Sequence, residues 1–325
     1  MKYALIIWFV VAFPVSCNTM NPGCNDPEAK NSDPSANIND GSCTYDPVWV
    51  TPYKTMELSV VLEETSGLIL WDSYLWTHND DSDTRIYGLD TATAEIETTS
   101  ILWKVENKDW EEIAQDEGYI YLGDFGNNGG NRTDLQILRV EKNSVRSGKP
   151  VIDTIGFTYS DQHDMDPGTF NQTEFDCEAF VVSADSIYLF TKQWLTAHTT
   201  VYSLPKEPGS HVAERRSTFN IEGLVTGATF LEEKHLLVLC GYSGLSQPFL
   251  YLLYDYPGDQ FFSGNKRRVN VSLLFHQVEG VATEDGLKYF LSNEQSSLSN
   301  SGYVNPPKVH LVDLGPYLQE YLEGY

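Results

Sequence analysis

One short phrase recurs five times along the chain: a polar lead residue, a small or acidic one, then a mostly apolar pair. The copies are Ser66-Gly67-Leu68-Ile69, Glu111-Glu112-Ile113-Ala114, Glu178-Ala179-Phe180-Val181, Thr226-Gly227-Ala228-Thr229 and Glu279-Gly280-Val281-Ala282. Successive leads are 45, 67, 48 and 53 residues apart, and 46 residues follow the last. Repetition at this period confines a chain to a solenoid, a propeller or an array.

The stretches between the phrases choose among these. Each phrase is followed by two short runs rich in Val, Ile, Leu, Tyr and Phe and bounded by Gly, Asp, Asn or Pro. Examples are Tyr119-Ile120-Tyr121-Leu122 and Leu135-Gln136-Ile137-Leu138 after Glu111. Such runs read as strands. A further run falls between units, at 57–61, 99–103, 154–158, 217–220 and 269–274. Four antiparallel strands per unit, repeated radially, describe an all-β propeller, which leaves only short protected edges. The run at 57–61 precedes the first phrase and the last unit lacks one, so an N-terminal strand is expected to close the ring. Five blades follow. Six is the alternative, because the gap between Glu111 and Glu178 has room for another blade. No helix is expected before the tail, residues 316–325.

Lys2 and the apolar run Ala4 to Val15 are too short to span a membrane and suit an export signal. With Ser16-Cys17 following, the stretch resembles a bacterial lipoprotein signal, which implies a surface or outer-membrane lipoprotein lipidated at Cys17, or a secreted protein if Cys17 is not modified. Pro14 departs from that pattern. The formal net charge of −25 with a sequence pI near 4.4 argues against a nucleic-acid partner, which needs a basic surface. Contact with a membrane is expected only through the lipid, and the chain is expected to be monomeric.

Residues 18–47 form a small unit with many Asp and Asn but almost no core-forming side chains, so burial alone cannot fold it. In an oxidising compartment Cys24 and Cys43 are expected to pair and close a loop worth roughly 3 kcal/mol. From Gly23 to Tyr45 the unit resembles Cys-bracketed, Asp-rich modules of secreted bacterial proteins and thrombospondin type 3 calcium repeats. The Asp and Asn side chains read either as Ca²⁺ ligands or as turn formers. Residues 48–56 read as a linker and 57–325 as the propeller.

In a propeller the first strand of each blade lines the central channel, so the phrase leads converge there. Glu111, Glu178 and Glu279 would then face one another, a repulsion that a bound Ca²⁺ relieves. The ends of the second strands add His78, Asp80, Asp124, Asn127, Lys192, Asn293 and Glu294. Expected metal ligands are Glu111, Asn127, Glu178, Glu279 and Asn293. Asp80, Asp124, Lys192 and Glu294 are expected to bind ligand, and His78 and Glu178 to act on it. The competing reading makes the channel carboxylates ties to backbone NH groups of neighbouring blades. Cys177 and Cys240 read as small buried hydrophobes that could pair if adjacent.

The runs Asp109-Trp110-Glu111-Glu112-Ile113-Ala114, Gly123-Asp124-Phe125-Gly126-Asn127-Asn128, Asp176-Cys177-Glu178-Ala179 and Val278-Glu279-Gly280-Val281-Ala282 resemble secreted bacterial propellers of the phytase-like, "esterase-like activity of phytase" grouping. The resemblance spans about residues 57–314. It implies a Ca²⁺-binding channel and hydrolysis of an ester, lactone or phosphoester. The chain has 21 Lys and Arg in all and no basic cluster, a departure from propeller phytases at the feature that grips phytate. The alternative function is a non-catalytic surface scaffold that captures glycan or protein through loop aromatics such as Trp194, Tyr242 and Tyr303.

Overall fold

The computed structural model describes residues 20–165, 169–244, 246–298 and 303–325. The export signal and Cys17 lie outside the described residues. Among the described residues no helix is long and apolar enough to cross a membrane.

The sheets group into four-stranded antiparallel blades, written here from channel to rim. Blade 1 is Thr65–Trp71, Tyr74–Asn79, Arg85–Asp90 and Ile96–Ile101. Blade 2 is Trp110–Gln115, Tyr119–Asp124, Gln136–Glu141 and Ile152–Tyr159. Blade 3 is Asp176–Val182, Ser186–Lys192, His198–Pro205 and Gly209–Asn220, its rim strand running parallel to that of blade 2. Blade 4 is Leu224–Leu231, Leu236–Ser243, Gln247–Tyr254 and Asn265–Val271. Blade 5 is Val278–Thr283, Lys288–Asn293, Lys308–Asp313 and the N-terminal strand Lys54–Glu57.

The ring closes through its inner strands, each packing against the next until that of blade 5 meets that of blade 1. Apolar burial follows the same geometry, with one cluster at each blade interface. Trp76 and Trp110 belong to the cluster of blades 1 and 2, Tyr121 and Phe180 to that of 2 and 3, and Phe190 and Leu237 to that of 3 and 4. Tyr254 and Leu291 lie between blades 4 and 5, and Leu75 and Val309 between 5 and 1. Inner strands are buried along nearly their whole length, whereas Asn265–Val271 alternates buried and partly exposed residues, as a rim strand with one wet face should.

Three details differ from the sequence reading. The closing strand is Lys54–Glu57 rather than 57–61, because Ser59 caps a short 3-10 turn, Val60–Leu62, that buries Leu62 and leaves Val60 exposed. The expected linker is instead part of the ring. Val48–Val50 runs parallel to Asn265–Val271 and covers the edge of blade 4, with Val50 in the core. A five-residue helix, Lys142–Arg146, also interrupts blade 2, held by Ser144 Oγ on Glu141 O (2.6 Å) and ended by Gly148 at φ +70°. The tail forms the helix Gly315–Leu322.

The N-terminal unit carries the Cys24–Cys43 disulfide, and its Asp and Asn side chains make turns: Asp33 Oδ1 accepts from Ser35 N (2.9 Å) and Asp40 Oδ1 from Ser42 N (3.0 Å). It docks on blade 4, where Asp26 Oδ2 accepts from the hydroxyls of Tyr45 and Tyr254, both at 2.7 Å. Cys177 and Cys240 are free and buried at different blade interfaces, which keeps them from pairing.

Candidate functional site

A β-bulge makes the repeated phrase functional. In blades 2 to 5 the lead residue, Glu111, Glu178, Thr226 or Glu279, is the one skipped in the register with the second strand. In blade 1 the extra residue falls one place later, so Gly67 and Leu68 together face Thr77. A bulged residue loses its ladder partner and its side chain is re-aimed, here toward the channel. The hydroxyl leads then tie blades together: Ser66 Oγ donates to Glu111 O and Thr226 Oγ1 to Val278 O, each at 2.5 Å.

The acidic leads open into a cavity of about 180 Å³. Asp80, Asp109, Glu111, Glu178, Glu279 and Glu294 line it, against one cation among the described residues, Lys192. Lys192 Nζ sits 2.6 and 2.5 Å from the two Glu178 oxygens and 4.6 Å from the centre of the Trp194 ring. Its ammonium is held protonated well above the ordinary lysine range, because Glu178 and further neighbouring acids outweigh the cost of burial.

The other acids have no such neutralising partner. Glu111 and Glu279 are 8% and 7% exposed, and among the described residues no hydrogen bond or ion pair engages either side chain. Burial first, and neighbouring carboxylates second, push both well above the ordinary carboxylate range. The same causes take Asp80 to about 8 and Glu294 to about 7. At the mouth, oxygens of Glu64, Asp80 and Glu294 lie within 4.8 Å of one another. The set is all hard oxygen, mutually repelling and partly dehydrated, which suits a divalent ion such as Ca²⁺.

Several sequence-predicted residues lie elsewhere. His78 is inside the second strand of blade 1, not in a loop. Strand alternation turns it with Trp76 into the interface with blade 2, against Trp110, and burial lowers it to about 4. It cannot serve as a channel base. Asp124 is spent on Arg132 (2.9 Å) and Gln136 (3.0 Å). Asn127 Oδ1 accepts from Arg132 N (2.9 Å), and Asn293 Oδ1 bonds His310 Nε2 (2.9 Å), so neither lines the cavity. Both sit where a second strand gives way to a loop, and the loop's own backbone consumes them.

Glu64 and Asp109 were not expected as site residues, and Trp194 and Tyr242, expected only as capture aromatics, line the cavity with Lys192 over their rings. Glu64 and Asp109 lie two residues before the leads Ser66 and Glu111, as Asp176 and Gln277 precede Glu178 and Glu279. The two-residue period of a strand was the available signal. Asp176 itself is satisfied by Asn127 N (2.6 Å), Asn128 Nδ2 (2.9 Å) and Trp194 Nε1 (2.7 Å).

Glu112 plays the structural role considered for the channel acids. Its carboxylate accepts from Ile113 N (2.9 Å), from Leu68 N in blade 1 and from Ala228 N (2.8 Å) in blade 4. It thus reaches across the axis and plugs the channel. Gly67, at φ +66°, makes room: a Cβ there would lie 2.5 Å from Glu112 Oε1. Beyond the plug is a smaller cavity of about 120 Å³, lined by the trailing residues of the phrases, among them Leu68, Ile113, Phe180 and Val181.

No protein-family model and no curated protein matches the chain. Among solved structures it is similar to the glutaminyl cyclase of Myxococcus xanthus, at 10% identity and TM-score 0.50, over 82% of this chain and 99% of that one. It is also similar to the PQQ-bound aldose sugar dehydrogenase of Streptomyces coelicolor, at 11% identity and TM-score 0.46, over 81% and 97%. The WD40 repeats of RRP9 follow at 9% identity and TM-score 0.42, over 81% and 99%. The first likeness is one of fold, and at this identity it carries no residue role across. The chain is a β-propeller with an acidic cavity at one end of its channel.

Proposed function

We propose that this chain is an exported surface propeller that binds Ca²⁺ at the acidic end of its channel and hydrolyses a small ester, lactone or phosphoester there. One observation carries the reading: six carboxylates surround a cavity of about 180 Å³ whose single lysine is already paired. Glu64, Asp80 and Glu294 would hold the ion at the mouth, with Glu279 behind them. Bound there, the ion supplies Lewis-acid polarisation of an ester or phosphoester oxygen.

The chain's own groups do the rest. Lys192 keeps Glu178 oriented along the cavity wall and draws its titration downward against burial, which still raises it to about 8. Glu178 would take a proton from the attacking water as its oxygen bonds to the ester carbon or phosphorus, and Glu111, held protonated by burial and by Glu178, would give its proton to the leaving oxygen as the ester bond breaks. With so few cations a polyanion such as phytate is repelled, and a neutral or singly charged substrate is favoured.

Turnover of ester, lactone and phosphoester probes by the full chain, with and without EDTA, tests this reading. Metal-dependent turnover lost in Glu111→Gln and in Glu178→Gln supports it, and full activity in both variants sinks it. The scaffold reading draws on one observation: Phe170, 69% exposed, and Trp194 stand at the rim, as capture aromatics would. Tight glycan binding without turnover would select it. Lipidation at Cys17 is checked by mass analysis of the mature N-terminus.

A further inference from the structure

A second cavity, of about 410 Å³, lies far from the channel, where three distant stretches of chain meet. The turn Asn25 to Glu28 of the N-terminal unit forms one wall. Tyr254, Asp255 and Asn265 of blade 4 form the floor, and Tyr317, Glu320, Tyr321 and Tyr325 of the tail form the other wall. From this geometry we infer a binding site for a small organic cation, a primary amine or guanidinium.

The walls are built rather than accidental. Asp26 Oδ2 anchors the turn to the Tyr254 hydroxyl (2.7 Å), and Asn39 Nδ2 joins the unit to Asp255 Oδ2 (2.8 Å). Tyr321 packs on Tyr254 with ring centres 4.9 Å apart, and its hydroxyl donates to Lys234 O (2.8 Å) and meets the Tyr325 hydroxyl at 3.0 Å. The volume falls in the range of small-molecule sites, which are aromatic-walled with a few directed polar groups.

Charge selects the occupant. Asp26, Glu28, Asp255 and Glu320 line the cavity, and no Lys, Arg or His does among the described residues. Arg267 neutralises Glu28, while Asp26 and Asp255 accept from neutral donors, which do not offset their charge. Arg267 stands behind the wall, bonded to Glu28 and 4.6 Å from the centre of the Tyr317 ring. That contact shows that this tyrosine already accepts a cation on its face. A bare metal ion suits the cavity poorly: among the described residues only Glu64, Asp80 and Glu294 bring three His, Cys, Asp or Glu ligand atoms within 4.8 Å of one another. Spread-out carboxylates between ring faces match a diffuse organic cation instead.

The test is calorimetric titration of the full chain, disulfide intact, with 1,4-diaminobutane and agmatine. Butane-1,4-diol serves as the uncharged isostere and glucose as the sugar arm. Saturable amine binding that weakens with salt, with no binding of diol or glucose, is expected. Glu320→Gln on the exposed helix face and Tyr317→Leu should each weaken it about fivefold, the size of an exposed charge or cation–π contact. Glu279→Gln, in the channel, should leave it unchanged. Failure of the amines to bind, preference for glucose, binding unaltered by Glu320→Gln, or loss only in Glu279→Gln would each overturn the inference. None of these outcomes bears on calcium in the channel.

Discussion

The two ends of the channel are made by the same five phrases and are chemically opposite. The leads Glu111, Glu178 and Glu279, turned in by the bulges, join Asp80, Asp109 and Glu294 to give one end six carboxylates, while the trailing pairs line the other with uncharged residues such as Leu68, Ile113, Phe180 and Val181. Glu112 lies between them, its oxygens held by three backbone NH groups that offset only part of the burial that raises it well above the ordinary carboxylate range. The contrast separates carboxylates that serve the fold from those that do not. Glu112 is bonded to the backbone, whereas Glu111 and Glu279, also buried, have no side-chain hydrogen bond or ion pair among the described residues. Burying charge without a partner is costly, and the proposed calcium ion would offset that cost.

Perturbing each end should cost similar stability but differ in rescue. Lys192→Met removes the one cation from the acidic end and should cost about 3–5 kcal/mol, as breaking a buried pair does. Phe180→Ala empties the apolar end for a comparable cost of about 3–5 kcal/mol. Chemical denaturation with and without calcium distinguishes them: calcium should restore much of the first loss and none of the second. Equal rescue of both, or of neither, would remove the distinction between the ends.

At the boundary, Glu112→Gln sets an amide NH₂ against NH donors and should cost about 1–3 kcal/mol. Its calcium affinity should match wild type, since the plug faces neither cavity with a free oxygen. Glu279→Gln should do the reverse. Stability without calcium should stay within about 1 kcal/mol, as a repelled charge is removed, while calcium affinity drops about tenfold with the lost ligand charge.

Titration gives the gentlest probe. Asp80 at about 8 and Glu294 at about 7 keep protons in the folded chain that the unfolded chain has already released. Their contribution to stability is full at low pH and is lost as pH rises through 7 to 8. Buried His78, lowered to about 4, acts in the opposite sense, but only below its unfolded value of 6.5. Between pH 6.5 and about 9 the calcium-free melting temperature should therefore fall, and saturating calcium should flatten the slope. A melting temperature that rises across that window would contradict the assignment.

Much of this was legible because the repeated phrase carries the bulge. Glu111, Glu178 and Glu279 stand at its skipped positions, and Asp80, Lys192 and Glu294 follow from the ends of the second strands. The errors share one cause: strand ends were read as free loops. His78 is still within its strand and answers to alternation, while Asp124, Asn127 and Asn293 are used up by neighbouring backbone and side chains. Glu64 and Asp109 stand one strand period before the lead residues, outside the repeated phrase that marks the site in the sequence. Glu112 could not be told from Glu111 without the bulge, which decides which of the two adjacent acids faces the cavity. Docking of the N-terminal unit depends on tertiary contacts such as Asp26 with Tyr254, more than 200 residues apart, which no local pattern announces.

Calcium titration of the full chain at about pH 8, set beside Asp80→Asn, tests the acidic end most directly. The wild-type chain should show one saturable event with a dissociation constant of about a millimolar or tighter, lost in the variant. Absence of binding, or binding of equal strength in Asp80→Asn, would contradict a calcium site in the channel, and the latter result would move it to the Asp-rich N-terminal unit.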